Sequence, residues 1–226
     1  VRVLVVTAVA AEAAAVVADV RGTAVALPGG YALTRTPAYD VLVGGVGPAA
    51  VASATATALA VADVPYDLVV SAGIGGGFRP HAPVGSLVVS DAVVAADLGA
   101  ETPDGYLPVD ELGFGRTVHP SPAALSRRIA EALGAAHAPV LTVSTVTGTA
   151  ARADELAARH PRAAVEAMEG FGVAEAAAAH GVPVVEIRAV SNAVGPRDRA
   201  AWRIGDALAA LRQAFHQLAP VLQEQP

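Results

Sequence analysis

Val165-Glu166-Ala167-Met168-Glu169-Gly170-Phe171-Gly172 joins a short apolar run, Ala163-Ala164-Val165, to an Ala-rich helix expected over Gly170 to His180. In open α/β sheets, ligands collect where a strand gives way to a helix, at the carboxyl ends of the strands. A carboxylate at Glu169 can accept hydrogen bonds from vicinal hydroxyls there, while the Met168 thioether packs beneath a flat sugar face. The plainer account is an acid in a helix's first turn, where the macrodipole favours negative charge. This segment alone favours the plainer account, so the rest of the chain has to decide.

The same alternation recurs on both sides. Downstream, Pro183 to Val190 reads as a long buried strand ending in Ser191-Asn192-Ala193-Val194-Gly195-Pro196-Arg197-Asp198-Arg199, before a closing helix over about Ala200 to Val221. Upstream, the strand Val140 to Val143 runs into a hydroxyl-rich turn, Ser144 to Thr149, and a helix from Ala150 to His160. Leu68 to Ser71 is a central strand leading into Ala72-Gly73-Ile74-Gly75-Gly76-Gly77-Phe78. That stretch is read as a loop whose bare backbone can approach a ligand. Val1 to Val6 is a further buried strand, and Glu12 opens the helix after it, either as a first-turn acid or as a site residue.

Tyr31 to Thr34, Asp40 to Gly44 and Leu87 to Asp91 complete the strands, and Ser121 is expected to cap a helix reaching Leu133 with Pro122 in its first turn. Between them, Leu98 to His119 dissolves into Gly, Pro, Asp and Glu and reads as a lid, a binding segment or disorder. His119 itself reads as a polar surface residue. Gly44-Gly45-Val46-Gly47-Pro48 before the helix Ala49 to Ala62 invites a dinucleotide reading. Ala50 stands where the third glycine belongs, and the next strand ends in Ser71 rather than an acid, so a tight turn is preferred. A noncatalytic nucleotide-binding domain built on these glycines stays as the alternative of another class. Strands alternating with helices give an α/β fold, three-layer α/β/α with a central mixed sheet, as a single domain over residues 1–226.

Composition narrows the function. The chain has no cysteine, which removes disulfides, thiolate metal sites and a cysteine nucleophile and fits a reducing cytoplasm. A net charge of −6 argues against nucleic acid as a partner, since a general nucleic-acid binder would want a basic face to meet the phosphates. Apolar runs are short and interrupted, so neither a membrane span nor a secretory leader is expected. The histidines show no metal-ligand spacing; no metal and no cofactor are expected.

Four strand-end segments, Thr7 to Glu12, Ala72 to Phe78, Val146 to Thr149 and Ser191 to Asp198, would meet Met168-Glu169 in one crevice. In this order and spacing they resemble the nucleoside phosphorylase and nucleosidase superfamily over nearly the full chain. Within it the chain is most similar to the futalosine hydrolases, through Ser191 to Asp198 with Trp202, supported by Thr145 to Thr149 and Met168-Glu169-Gly170. The resemblance implies cleavage of a ribose–purine bond in a small nucleoside, with release of hypoxanthine from futalosine in menaquinone biosynthesis. It matches Glu12 to the base that activates water, Glu169 to the acceptor for ribose hydroxyls and Met168 to the residue under the sugar. Ile74, Gly75 and Gly76 match the loop along ribose and base, and Val146 and Thr147 the segment at the purine edge. A homo-oligomer, a dimer or larger, is also implied.

Adenine-type nucleosidases of this superfamily carry Asp where Asn192 stands. An amide NH2 can donate to both N7 and O6 of hypoxanthine, so Asn192 points to a 6-oxopurine. An amide is not a general acid, so the base leaves as a hydrogen-bonded anion or takes a proton from water or Asp198. Phosphorylases typically carry Arg where Ser71 stands, and Glu12 would repel phosphate, which favours water as nucleophile over phosphorolysis. Arg197, Arg199 or Arg79 can pair with the benzoate carboxylate at the 5′ end of futalosine; solvated surface arginines are an equal account.

Overall fold

The structure, a computed structural model, describes residues 1–223. The domain expected over 1–226 therefore includes three residues, 224–226, outside the described ones. The chain runs β1 (Val3–Thr7), α1 (Ala10–Val17), β2 (Thr23–Ala26), β3 (Ala32–Arg35), β4 (Asp40–Val43), α2 (Pro48–Ala60), β5 (Leu68–Gly77) and β6 (Leu87–Ala95). It continues through β7 (Gly99–Thr102), β8 (Gly105–Pro108), β9 (Val118–Pro120), α3 (Ala123–Leu133), β10 (Ala136–Thr142), α4 (Ala150–Arg159), β11 (Val165–Ala167), α5 (Gly170–Ala179), β12 (Val184–Ala193) and α6 (Ile204–Gln223).

All the strands except β7 and β8 form one mixed sheet in the order β11-β10-β6-β12-β5-β1-β4-β3-β2, with β9 on β6. β11 also pairs with the far end of β5, antiparallel, which bends β5, β12, β6, β10 and β11 into a closed ring. Both faces of the sheet are covered. Along β1, Val3 and Val5 pack with Leu211 and Phe215 of α6, while Leu4 and Val6 pack with Val51 of α2 and Val173 of α5. Successive strand residues point to opposite faces, so a strand buried on both sides reads as an unbroken apolar run. The expected three-layer α/β/α fold is the observed one. α2 starts as its sequence suggests, with Pro48 in the first turn and Gly47 at φ 93° before it.

Several local expectations change. The glycine-rich stretch after Ser71 is not a loop: β5 continues to Gly77 because β12 on one side and β11 on the other satisfy its backbone. β2, missed in the sequence, is a short, mostly exposed edge strand with little apolar pattern. Ser121 does not cap α3; its hydroxyl pairs with Ser90 at 2.7 Å and Pro122 takes the cap position. His119 is buried, not on the surface, and its Nε2 meets Glu175 at 2.7 Å. The segment 98–119 holds the hairpin β7–β8, fastened where Arg159 lies 4.0 Å from the Tyr106 ring.

Candidate active site

Strand ends and helix starts meet around a cleft of about 250 Å³. It is lined by Glu12, Ile74, Gly75, Gly76, Val146, Thr147, Met168, Glu169, Asn192 and Arg197, together with Glu166 and Trp202. Of the residues expected at the site, Asp198 stays out of this lining. Its carboxylate accepts the Ala200 N–H at 3.1 Å and caps a short turn instead. Arg79 and Arg199 are also absent from the lining. A larger depression, about 660 Å³, lies at the amino ends of the strands beside Leu68 and Pro183.

Glu12 is buried and tightly held. Its Oε2 accepts from the N–H groups of Ala8 (3.0 Å) and Val9 (3.3 Å), and its Oε1 from that of Ile74 (2.9 Å). The carboxylate therefore ties the β1–α1 junction to β5. Gly73 makes this possible: a Cβ there would stand 2.5 Å from both Glu12 Oε1 and Arg188 Nη1.

Glu169 sits at the N-cap position of α5 yet makes no capping bond to its own helix. Its Oε1 accepts from Gly47 N–H at 3.3 Å, and its Oε2 lies 3.3 Å from Met168 N and 3.2 Å from Arg188 Nη2. The glycine turn after β4 is thus a tight turn that hands a backbone donor to the site.

Behind the cleft lies a pair that the sequence reading passed over. Arg188 is 1% exposed; it donates from Nε to Glu186 Oε1 (2.8 Å), from Nη1 to the Ile74 carbonyl (3.2 Å) and from Nη2 to Ser71 Oγ (3.3 Å). Burial works against its charge, but the carboxylates of Glu186, Glu169 and Glu12 outweigh that and push its pKa further up. Glu186 Oε2 is buried with no hydrogen-bond partner, and desolvation pushes this carboxyl up despite Arg188 beside it. The signal was present: an acid and a base two residues apart on one face of an otherwise apolar strand are placed there to meet each other.

Asn192 is oriented by its neighbours. Ser191 Oγ donates to its Oδ1 at 2.8 Å, and its Nδ2 donates to the Ala193 carbonyl at 3.1 Å. One of its two N–H groups is therefore occupied, which narrows the expectation that the amide serves N7 and O6 together. Glu166, 2% exposed, accepts from Thr147 N at 2.8 Å and from Thr147 Oγ1, fixing the turn after β10. Burial pushes the Glu166 carboxyl up, and the two Thr147 donors pull the other way. At the rim, Arg197 lies 5.2 Å from the Trp202 ring, and its N–H donates to the Gly148 carbonyl at 3.2 Å.

The sequence pattern of the Phosphorylase superfamily matches residues 2–223. A futalosine hydrolase from Streptomyces coelicolor is 64% identical over 226 residues, covering 97% of this chain and 96% of that protein. The chain belongs to the futalosine hydrolase family. A second futalosine hydrolase, from Acidothermus cellulolyticus, is 48% identical over 95% of this chain and 89% of its own length. This chain also shares its fold with the methylthioadenosine/S-adenosylhomocysteine nucleosidase of Colwellia psychrerythraea, solved with adenine. The TM-score is 0.82 at 21% identity, over 98% of this chain and 94% of that one.

Proposed function

We propose that this chain hydrolyses the N-ribosidic bond of futalosine, releasing hypoxanthine and dehypoxanthine futalosine for menaquinone biosynthesis. The observation that carries the reading is the convergence of Glu12, Glu169 and Asn192 on one cleft, from the start of α1, the start of α5 and the end of β12. Glycosidic cleavage develops positive charge on the sugar, negative charge on the departing base and a proton on the attacking water. A site for it needs an acid anion near the sugar, a grip on the hydroxyls and a donor at the base.

Glu12 takes the proton from water and stabilises the cationic sugar; its three backbone donors aim it without side-chain motion. Glu169 accepts from the ribose hydroxyls, held in orientation by Arg188 and Gly47, while Met168 packs beneath the ring. Asn192 offers its remaining N–H to the base. With Asp198 outside the cleft, the base leaves as a hydrogen-bonded anion or is protonated by water. Arg197, lining the cleft beside Trp202, supports the reading that this arginine rather than Arg79 or Arg199 pairs with the benzoate carboxylate.

Water is favoured over phosphate by the state of Arg188. This buried cation already donates to Glu186, the Ile74 carbonyl and Ser71 and faces Glu169, so its charge is spent inside the protein. A cytoplasmic homo-oligomer completes the reading. Support for it comes from the lack of cysteine and from exposed Val9, Val46 and Val146 around the cleft. Among the described residues no helix is long and apolar enough to cross a membrane. The test is base release from futalosine, inosine and methylthioadenosine, with and without phosphate. Hydrolysis of futalosine without phosphate is expected; strict phosphate dependence would show phosphorolysis, and preference for methylthioadenosine would overturn the 6-oxopurine reading.

A further inference from the structure

In the sheet, Gly76 of β5 is paired with Glu166 of β11 on one side and with Asn192 of β12 on the other. Residues paired across neighbouring strands present their side chains to the same face. A carboxylate and an amide therefore flank a residue that has no side chain, two strand spacings, or about 9–10 Å, apart. A Cβ on Gly76 would stand 3.0 Å from Val194 Cγ2 and 3.2 Å from Asn192 Nδ2, and Glu166, Gly76 and Asn192 all line the cleft. The row carries a donor at one edge and an acceptor at the other, with no side chain between them.

Glu166 retains capacity to accept. Its two oxygens take the N–H and the hydroxyl of Thr147, and a carboxylate has about four acceptor positions. A buried acid with acceptor positions left facing a cleft is suited to a ligand N–H. A 6-oxopurine presents such a donor at N1 next to the O6 acceptor; a 6-aminopurine has a bare lone pair at N1, which a carboxylate repels. We propose that Glu166 accepts the N1–H of the 6-oxopurine base and, with Asn192 across Gly76, sets the base preference. This rests on the reading of the cleft as a purine riboside site.

The test is calorimetric binding of hypoxanthine, 1-methylhypoxanthine and adenine to the full chain and to Glu166→Gln, with kcat/KM for futalosine against its 6-amino counterpart. Wild type should bind hypoxanthine roughly tenfold to a hundredfold more tightly than the other two. Glu166→Gln should lose most of that gap by weakening hypoxanthine while leaving adenine unchanged, and the ratio of kcat/KM values should fall in parallel. The proposal is overturned if wild type binds 1-methylhypoxanthine as tightly as hypoxanthine, a comparison that needs no variant. It is equally overturned if Glu166→Gln weakens all three bases alike, which would make Glu166 a strut for the Thr147 turn. Failure of the wild type to bind any purine or release any base would overturn the site reading along with it.

Discussion

Arg188 Nη2 lies 3.2 Å from Glu169 Oε2, and the two side chains are 1% and 8% exposed. The carboxylate assigned to the ribose hydroxyls is thus held by a cation that is itself anchored on Glu186, deeper in the protein. The orientation of a residue at the cleft depends on a buried charge that does not line it.

Replacing Arg188 by Met should therefore damage both folding and turnover. Removing one partner of a buried ion pair strands the others, at a cost of about 3–5 kcal/mol, read from urea unfolding. Adding Glu186→Leu should recover much of that stability by removing the stranded acid. Turnover should stay down, on the order of a hundredfold, because Glu169 is still unheld. Recovery of turnover together with stability would confine Arg188 to folding.

Glu186 gives a pH dependence with a definite sign. Burial raises its pKa above the ordinary value of 4.5, so the folded protein keeps a proton that the unfolded chain releases. Stability must then fall as pH rises above 4.5, and it levels off only once the folded-state carboxyl has also ionised. Glu186→Gln has no such proton and can still accept from Arg188 Nε. Urea midpoints measured from pH 4.5 upward should show the variant gaining on wild type as pH rises; parallel curves would mean that Glu186 is ionised at no net cost.

Much of this was open to the sequence because period and punctuation carry it. Unbroken apolar strands announced a sheet covered on both faces, and Gly47-Pro48 announced the start of α2. Glu12, Glu169 and Asn192 were legible as polar residues at strand–helix junctions. The glycine-rich end of β5 was not legible as strand, because its pairing partners lie about ninety and a hundred and fifteen residues away and leave no local mark. The same non-local pairing hid the row Glu166–Gly76–Asn192. Glu186 and Arg188 did leave a mark, since charges inside an apolar strand call for partners, but only the fold shows that the partner is Glu169.

Glu12→Gln should separate binding from chemistry. The amide keeps the shape of the side chain but has one acceptor oxygen where the native residue serves three N–H donors through two. An NH2 facing backbone N–H costs about 1–3 kcal/mol in stability. The loss of a general base should lower kcat by about 10²–10⁴-fold. Calorimetry should still find hypoxanthine binding. Turnover within about threefold of wild type would remove Glu12 from proton transfer.

Asn192→Asp tests base recognition from the side opposite Glu166. Ser191 Oγ can still donate to one carboxylate oxygen, but the oxygen that replaces Nδ2 would face the Ala193 carbonyl 3.1 Å away. As a carboxylate it would be repelled there and could not donate to a 6-oxopurine; once protonated, its single O–H could donate to the base instead of the Ala193 carbonyl. The variant should therefore lose futalosine turnover by about tenfold or more at neutral pH, the cost of an unpaired acceptor, and recover part of it as the pH falls. Its 6-aminopurine analogue should suffer less, because the amino group can donate to the carboxylate. The pH profile of kcat/KM on the two substrates checks this directly: loss of both in equal measure, flat with pH, would mean that Asn192 shapes the end of β12 rather than reading the base.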